Sequence, residues 1–224
     1  MAEEIPKEQK EQAKTAEKAK PQPAQKNSQE QKQQVSSKIK KKLWHQIIAP
    51  PIFNGTVLGE TIVYEPKSMV GKTITQNLTY LTNDIKKQNI NLKFQVYSVE
   101  NNKALTKITG FEIVSSTIKR LVRRGSSKIN ISFKCKTSDN VDIRVKPLIV
   151  TFSITNNSVL SKLNNMTVDF IKKRVQSEPY ETFMEELVSH KIQSSLREHL
   201  HKVYPLRACE IRYAGIEKKE ARQD

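Results

Sequence analysis

The sequence predicts an α+β fold: a mainly antiparallel β-sheet or barrel with a short basic helix, followed by two C-terminal helices and a closing strand. Three observations predict it. Between residues 56 and 154 apolar side chains alternate with polar ones, which is the period of a β-strand. After Asn156 the apolar spacing becomes helical, and Cys209, Ile211 and Tyr213 alternate again near the end.

The strand signals form an ordered series that turn residues interrupt. Candidate strands occupy residues 57–64, 73–81, 90–96, 104–114, 129–135 and 141–154. Lys93 lies opposite the alternating apolar face of the third of these strands. The turn cluster at 137–140 predicts a hairpin between the last two strands. Because Pro147 cannot donate a hydrogen bond to a strand ladder, the last strand is predicted to change edge or sheet there.

A short helix is predicted between the fourth and fifth strands. Ser115 or Ser116 can cap its start, and Gly125 can end it. An apolar stripe and a basic face share the same helical spacing. The stripe is Ile118, Leu121 and Val122, and the basic face is Arg120, Arg123 and Arg124.

Two longer helices are predicted in the C-terminal third. The first covers about 158–175. The second starts at Pro179 and stops before Pro205, because proline disrupts a helix interior and is tolerated at its first turn. The apolar period of the second helix slips around His190.

The positive charge is concentrated outside the N-terminal segment. The 224-residue chain has 39 Lys and Arg against 23 Asp and Glu, a net charge of +16. Residues 1–37 hold 7 lysines and 6 glutamates, so residues 38–224 carry a net charge of +15. Residues 1–37 are predicted to be a disordered tail, and residues 217–224 a charged tail. Residues 38–216 are predicted to form one globular domain, whose charge indicates a polyanionic partner, nucleic acid before an anionic membrane surface.

No motif in the sequence supports catalysis, a metal site or a cofactor. Gly71-Lys72-Thr73 resembles the end of a phosphate-binding loop, but Pro66 occupies the position of its first glycine. The four histidines lack the spacing of metal ligands, and the two cysteines are expected to be reduced. The longest apolar run has seven residues, which is too short to span a membrane. The sequence therefore predicts neither an enzyme nor a membrane protein.

Basic residues recur along the predicted domain and are the candidates for phosphate contact, since Arg binds phosphate bidentately and Lys acts as a point charge. The first set, with the aromatic residue beside the lysine run, is Lys40, Lys41, Lys42, Trp44, Arg120, Arg123, Arg124, Lys128, Arg144 and Lys146. The second set is Lys172, Lys173, Arg174, Arg207 and Arg212. Trp44 could stack on a base or pack at a protein edge, and packing is favoured. Because no paired-aromatic RNA motif is present, recognition of RNA shape and backbone is expected.

Several segments, in their order along the chain, are similar to one ribosomal protein family. They are residues 42–50 with Phe53, 59–61, 81–84, 110–112, 118–124, 127–129, 144–147, 204–207 and 210–212. Across residues 40–216 the chain resembles the archaeal and eukaryotic small-subunit ribosomal protein family called S-one-e or S-three-a-e, and its details are closer to the archaeal branch. Two positions depart from the family pattern: His45 replaces an aromatic residue, and Gly125 replaces an Arg or a bulky residue.

The resemblance implies a structural, non-catalytic protein that binds rRNA on the platform of the small ribosomal subunit. This location is near the mRNA exit, and the family supports translation initiation there. The implied partners are small-subunit rRNA, neighbouring platform proteins, mRNA and initiation factors, in the cytoplasm. Neither a homo-oligomer nor a membrane partner is expected.

Two alternatives follow from the residues themselves. A free RNA-binding or RNA-chaperone protein acting in translation would carry the same charge, bind many RNAs with similar affinity and need no protein neighbour. An RNA-processing enzyme would need an acidic pair contributed by distant segments, which the sequence does not test. Turnover of RNA in the presence of magnesium would distinguish that enzyme from either binding protein.

Overall fold

The computed structural model describes residues 42–217, and the structural findings concern that part of the chain. The predicted tail at 1–37, the candidate residues Lys40 and Lys41, and all but the first residue of the predicted tail at 217–224 lie outside it.

The described residues form strands first, helices second and one strand last. The strands are β1 Leu43–Ile48, β2 Val57–Val63, β3 Thr73–Asn77, β4 Ile90–Glu100, β5 Lys103–Ile113, β6 Lys128–Asn130, β7 Phe133–Lys136, β8 Asp142–Thr151 and β9 Leu206–Ile216. The helices are α1 Leu78–Thr82, α2 Ser115–Leu121, α3 Asn157–Ser177, α4 Tyr180–Val188 and α5 Lys191–His201. Short 3₁₀ turns occupy Pro51–Phe53, Pro66–Met69 and Ile85–Lys87.

The strands form one open sheet that branches along β5 and β8. One edge of β5 pairs with β4, which pairs with β3. The other edge pairs with β1 at its start, in parallel, and with β9 at its end. Strand β8 pairs with β9 on one edge and with β7 and then β6 on the other. Among the described strands all pairings except β1–β5 are antiparallel, so the predicted α+β class is confirmed and the sheet is open rather than closed into a barrel.

The predicted change of edge or sheet at Pro147 does not occur, and only the neighbour on one edge of β8 changes there. The strand runs through the proline without a break and keeps β9 as its neighbour. On its other edge, β7 pairs with residues before Pro147 and β6 with residues after it. The predicted strand at 129–135 is therefore divided into β6 and β7. Strands β7 and β8 form the predicted hairpin, and Asn140 adopts the positive φ of 58° that its turn requires.

The two faces of the sheet are covered differently. Helices α3, α4 and α5 pack on one face and form a large apolar core with Ile143, Val145 and Ile149 of β8. Because side chains alternate along a strand, Leu148 and Val150 point to the opposite face. There they form a small second core with Ala208, which Ile118 and Leu121 of α2 and the following Val122 cover.

Helix α2 is shorter than the sequence predicts. Val114, rather than Ser115 or Ser116, precedes its first residue, and no side chain caps it. The helix ends at Leu121, because Val122 takes an extended conformation. Arg123 and Arg124 therefore lie in the turn after the helix, where Gly125 has a φ of 81°. The predicted basic helical face is wrong for these two residues, although they stay next to Arg120.

The second predicted C-terminal helix is two helices. Ser189 ends α4, and His190 takes a left-handed conformation with a φ of 64° before α5 begins. A residue in this conformation stops the helical hydrogen-bond ladder and turns the chain. The slip of the apolar period around His190 was the sequence signal of this break.

His45 is buried in the core. Strand alternation directs it and Ile47 inward, and only 1% of His45 remains exposed. Neither ring nitrogen has a hydrogen-bond partner among the described residues. In the family that the sequence resembles, this position tends to hold an aromatic side chain. The ring of His45 takes the same place in the core, although its two nitrogens lack hydrogen-bond partners among the described residues.

Candidate nucleic-acid interface

Five basic residues lie on the sheet face opposite the three long helices. Arg144 and Lys146 share the face of Leu148 and Val150, because side chains alternate along β8. Lys128 pairs with Val150, Lys134 pairs with Arg144, and Lys93 reaches the same face through β5 and β9. We call Lys93, Lys128, Lys134, Arg144 and Lys146 the basic sheet face.

Helix α2 brings three arginines to the same side of the sheet. Its apolar residues pack on Leu148 and Val150, so the helix and the following turn lie over one end of this face. The Arg120 guanidinium donates hydrogen bonds to Asn89 Oδ1 at 3.3 Å and to Thr117 Oγ1 at 3.2 Å. Arg123 and Arg124 are exposed and have no ion pair within residues 42–217.

Glycines form the floor at the centre of this face. The strand registers place Lys134, Arg144, Gly215, Gly110 and Lys93 in one row across five strands. The two glycines leave the middle of the row without side chains. The row therefore has positive groups at both ends and a low centre.

Tyr213 lies across that low centre. A Cβ atom at Gly215 would be only 2.8 Å from Tyr213 Oη, so the tyrosine side chain occupies the space above the glycine. Lys146 Nζ lies 5.1 Å from the centre of the Tyr213 ring, and Lys93 Nζ lies 5.8 Å from it. Both distances are within the range of cation–π contacts, so the ring holds two ammonium groups on the sheet surface.

Carboxylates neutralise part of the basic sheet face. Lys93 Nζ lies 2.8 Å from Glu112, and the hydrogen bond to this carboxylate raises the lysine pKa. Glu217 accepts from Lys134 at 2.8 Å and from Arg144 at 2.7 Å. The hydrogen bond from Lys134, joined by that from Arg144, lowers the pKa of Glu217.

Four other cations are left for an external anion. Arg123, Arg124, Lys128 and Lys146 have no carboxylate within 4.0 Å in the described part of the chain. They occupy the α2 end and the β8 part of the same face. This arrangement can bind a linear polyanion, since each phosphate group could meet an unpaired cation.

Sequence reasoning missed Lys93, Lys134 and Tyr213. The signal for the two lysines was present, because each alternates with core residues on its strand and so points outward. The signal for Tyr213 was misleading. Simple alternation from Ile211 predicts an inward tyrosine, but the register shifts between Lys146 and Pro147, and β9 has an extra residue there. That bulge turns Tyr213 outward.

Three of the second set of candidates lie in the helical layer, away from the basic sheet face. Lys172 and Lys173 are exposed on α3, which belongs to the helical layer. Arg174 makes a bidentate contact with Glu186, at 3.1 and 2.6 Å, and a 3.0 Å ion pair with Glu178. The remaining two members, Arg207 and Arg212, are exposed on β9.

Trp44 and Lys42 lie at the opposite edge of the sheet. Trp44 pairs with Ile62 of β2, the outermost strand on that side, and β1, β5 and β9 separate this edge from β8. The tryptophan is 63% exposed, so it does not pack in the core of its own chain. Lys42 Nζ lies 5.0 Å from the centre of the Tyr64 ring.

Across the described range 42–217, no group of three His, Cys, Asp or Glu side chains is placed to hold a metal ion. None of the helices in that range is both long enough and apolar enough to cross a membrane.

Comparison with known proteins identifies the family. The model of the ribosomal S3Ae family matches residues 30–220, which is most of the chain. The chain belongs to the ribosomal S3Ae family. This confirms the resemblance read from the sequence, and the match includes every residue of the basic sheet face.

Three archaeal relatives in the S3Ae family share about a third of their residues with this chain, and each is named small ribosomal subunit protein eS1. The relative from Desulfurococcus amylolyticus is 33% identical over 79% of this chain and 83% of its own. The one from Staphylothermus marinus is 32% identical over 79% and 84%. The one from Halorubrum lacusprofundi is 31% identical over 82% and 85%.

Proposed function

We propose that this S3Ae-family chain is a structural, non-catalytic component of the small ribosomal subunit that binds rRNA through its basic sheet face. The observation that carries the proposal is the gathering of four cations that have no carboxylate partner among residues 42–217, on the face that the long helices leave open: Arg123, Arg124, Lys128 and Lys146. The names of the relatives support the small subunit as the assembly.

The shape of the face favours contact with the sugar–phosphate backbone over reading of bases. Tyr213 covers Gly215 in the middle of the row, so a strand of RNA would meet the surrounding cations rather than the strand backbone. Arginine binds phosphate bidentately and lysine binds it as a point charge. Tyr213 is already occupied by two ammonium groups, which makes it a support for cations rather than a stacking surface. Affinity should therefore depend strongly on salt.

A finer location within the subunit rests on the family resemblance. We propose that the chain lies on the platform near the mRNA exit and supports translation initiation. Its neighbours there would be rRNA, other platform proteins, mRNA and initiation factors. The exposed Trp44 edge, which β1, β5 and β9 separate from β8, and the helical layer would be the surfaces for protein neighbours.

A matched pair of double variants tests the binding face. Arg123→Ala with Arg124→Ala removes two unpaired cations beside the basic sheet face, and Lys172→Ala with Lys173→Ala removes two from the helical layer. Binding of small-subunit rRNA is measured over a range of salt concentrations. The first variant should weaken binding and make the log–log salt dependence shallower by about 0.7 to 0.9 for each lost contact, while the second should leave it unchanged.

Two results would contradict the proposal. An unchanged slope of the salt dependence for the arginine variant would show that the turn after α2 does not contact the RNA. Equal affinity for small-subunit rRNA and for unrelated RNA of the same length would favour the free RNA-chaperone alternative. The full chain is used in both measurements, and thermal unfolding checks that each variant is folded.

A further inference from the structure

A groove of about 560 Å³ opens on a different part of the molecule from the basic sheet face. Its walls come from the segment after β1, from β4 and β5, and from α4. Apolar side chains dominate these walls: Pro50, Pro51, Ile52, Tyr97, Ile108 and Met184. Tyr97 is 54% exposed, so a large aromatic surface faces solvent at the mouth of the groove. Exposed apolar surface of this kind is typical of an interaction site.

The rim of the groove is acidic, although the chain is strongly basic. Glu181 and Glu185 lie four residues apart on α4, so both point to the same side of the helix. Both are exposed, and neither has an ion pair in the described range. Lys107 is the basic residue that also lines the groove. A chain with a net charge of +16 thus exposes a carboxylate pair beside an apolar groove.

We propose that this groove binds an extended segment of a neighbouring ribosomal protein, with one aliphatic side chain among the apolar walls and flanking Lys or Arg residues on Glu181 and Glu185. Charge complementarity favours such a segment, because the carboxylates attract its basic residues and repel the phosphates of RNA. The proposal rests on the proposed function, since the neighbour belongs to the small subunit.

Photo-crosslinking in living cells identifies the occupant. A benzophenone-bearing amino acid replaces Tyr97 at the mouth of the groove in the full chain. The control places it at Tyr80, which is 74% exposed on α1 and does not line the groove. After irradiation, crosslinked peptides or nucleotides are sequenced by mass spectrometry. The expected product at position 97 is a protein segment with an aliphatic residue flanked by Lys or Arg, absent at position 80.

Charge reversal tests whether the acidic rim selects that segment. Glu181→Lys with Glu185→Lys should reduce the crosslink at position 97 at least tenfold. Asp169→Lys with Glu198→Lys changes the net charge equally on exposed sites of α3 and α5, and should leave the crosslink unchanged. Circular dichroism of each purified variant confirms that it is folded.

Several outcomes would overturn the inference. They are a crosslink at position 97 to rRNA, to residues 1–41 of the same chain, or to a segment without basic residues, and no crosslink at all. A crosslink that survives the charge reversal would also overturn it. Sedimentation of the same cell extract tests the proposed function separately. Absence of the protein from the small-subunit fraction would contradict the proposed function, whereas the crosslink would still identify the occupant of the groove.

Discussion

Glu210 on β9 has surroundings that oppose its charge. Burial raises its pKa to about 7, and the positive charge of Arg197 offsets this only in part. His190 Nδ1 lies 4.0 Å from the carboxylate, and Glu210 Oε2 has no hydrogen-bond partner in the described part of the chain. Burial also lowers the pKa of His190, and nearby Lys87 lowers it further. His190 is therefore neutral and Glu210 only partly ionised at neutral pH, so the two do not form a full ion pair.

Glu210→Gln should stabilise the protein at high pH. The folded state binds the Glu210 proton more tightly than the unfolded state, whose carboxyl has a pKa near 4.5. The free energy of unfolding therefore falls as pH rises from about 4.5 to about 7, by about 1 to 3 kcal/mol in total. Glutamine removes this loss, so the variant should be more stable by that amount at pH 8 and similar to the wild type near pH 4.5.

Urea unfolding at both pH values measures the difference. His190 contributes the opposite trend, because its lowered pKa makes stability rise with pH up to its ordinary value of 6.5. Comparison at pH 8, where this histidine is neutral in both states, isolates the carboxyl. A variant no more stable than the wild type at pH 8 would show that Glu210 is ionised in the fold without cost.

Tyr213 and Arg174 show which residue properties the sequence could not predict. The direction of Tyr213 depends on a one-residue bulge that only the pairing of β9 with β8 reveals. The engagement of Arg174 depends on Glu186, which is twelve residues away and on another helix. By contrast, the outward direction of Arg144 and Lys146 follows from their local alternation with Ile143 and Val145 along the strand.

At the scale of the strands, β5 and β9 pair at two glycines, Gly110 and Gly215, and the space around these glycines differs. A Cβ atom at Gly215 would lie 2.8 Å from Tyr213 Oη and 3.1 Å from the Thr109 carbonyl oxygen. At Gly110 the nearest atoms, from Ala214 and Lys93, lie at 3.6 Å, which is an ordinary contact. The two strands therefore meet closely at position 215 and with room to spare at position 110.

Gly215→Ala should destabilise the protein by about 1 to 3 kcal/mol, because the new methyl group forces Tyr213 and the β5 backbone apart. Gly110→Ala is the matched control and should change stability by less than about 0.5 kcal/mol, since its methyl group would make only ordinary van der Waals contacts. Urea unfolding compares the two variants at one pH. Equal stability of the two would mean that Tyr213 does not lie over Gly215 as described.

The elements themselves were predictable where the pattern was long. The alternation in β4 and β8 and the helical spacing of α3 were sufficient to identify them. The boundaries that were missed depend on single backbone conformations. The extended Val122 ended α2 early, and the left-handed His190 divided the last helix. Histidine rarely adopts a left-handed conformation, so tertiary packing decided the break at His190. Valine favours the extended conformation, but the helical spacing of the apolar stripe hid this weaker signal at Val122.

The molecule as a whole separates its charges between two faces. Arg174, Glu178 and Glu186 neutralise one another in the helical layer. The basic sheet face and the turn after α2 keep Arg123, Arg124, Lys128 and Lys146 without carboxylate partners in the described chain. The net charge of +16 predicted a polyanionic partner. The face that would bind this partner could be identified only from the strand registers.

Sedimentation of cell extract on sucrose gradients tests the central claim most directly. The full chain is followed at low salt and after a high-salt wash, beside a variant with Arg123, Arg124, Lys128 and Lys146 all changed to Ala. The Lys172→Ala, Lys173→Ala variant is the control from the helical layer. The wild type and the control should stay in the small-subunit peak through the wash, because many contacts hold them, and the quadruple variant should leave it. Loss of the wild type at moderate salt, or retention of the quadruple variant through the wash, would contradict binding through the basic sheet face.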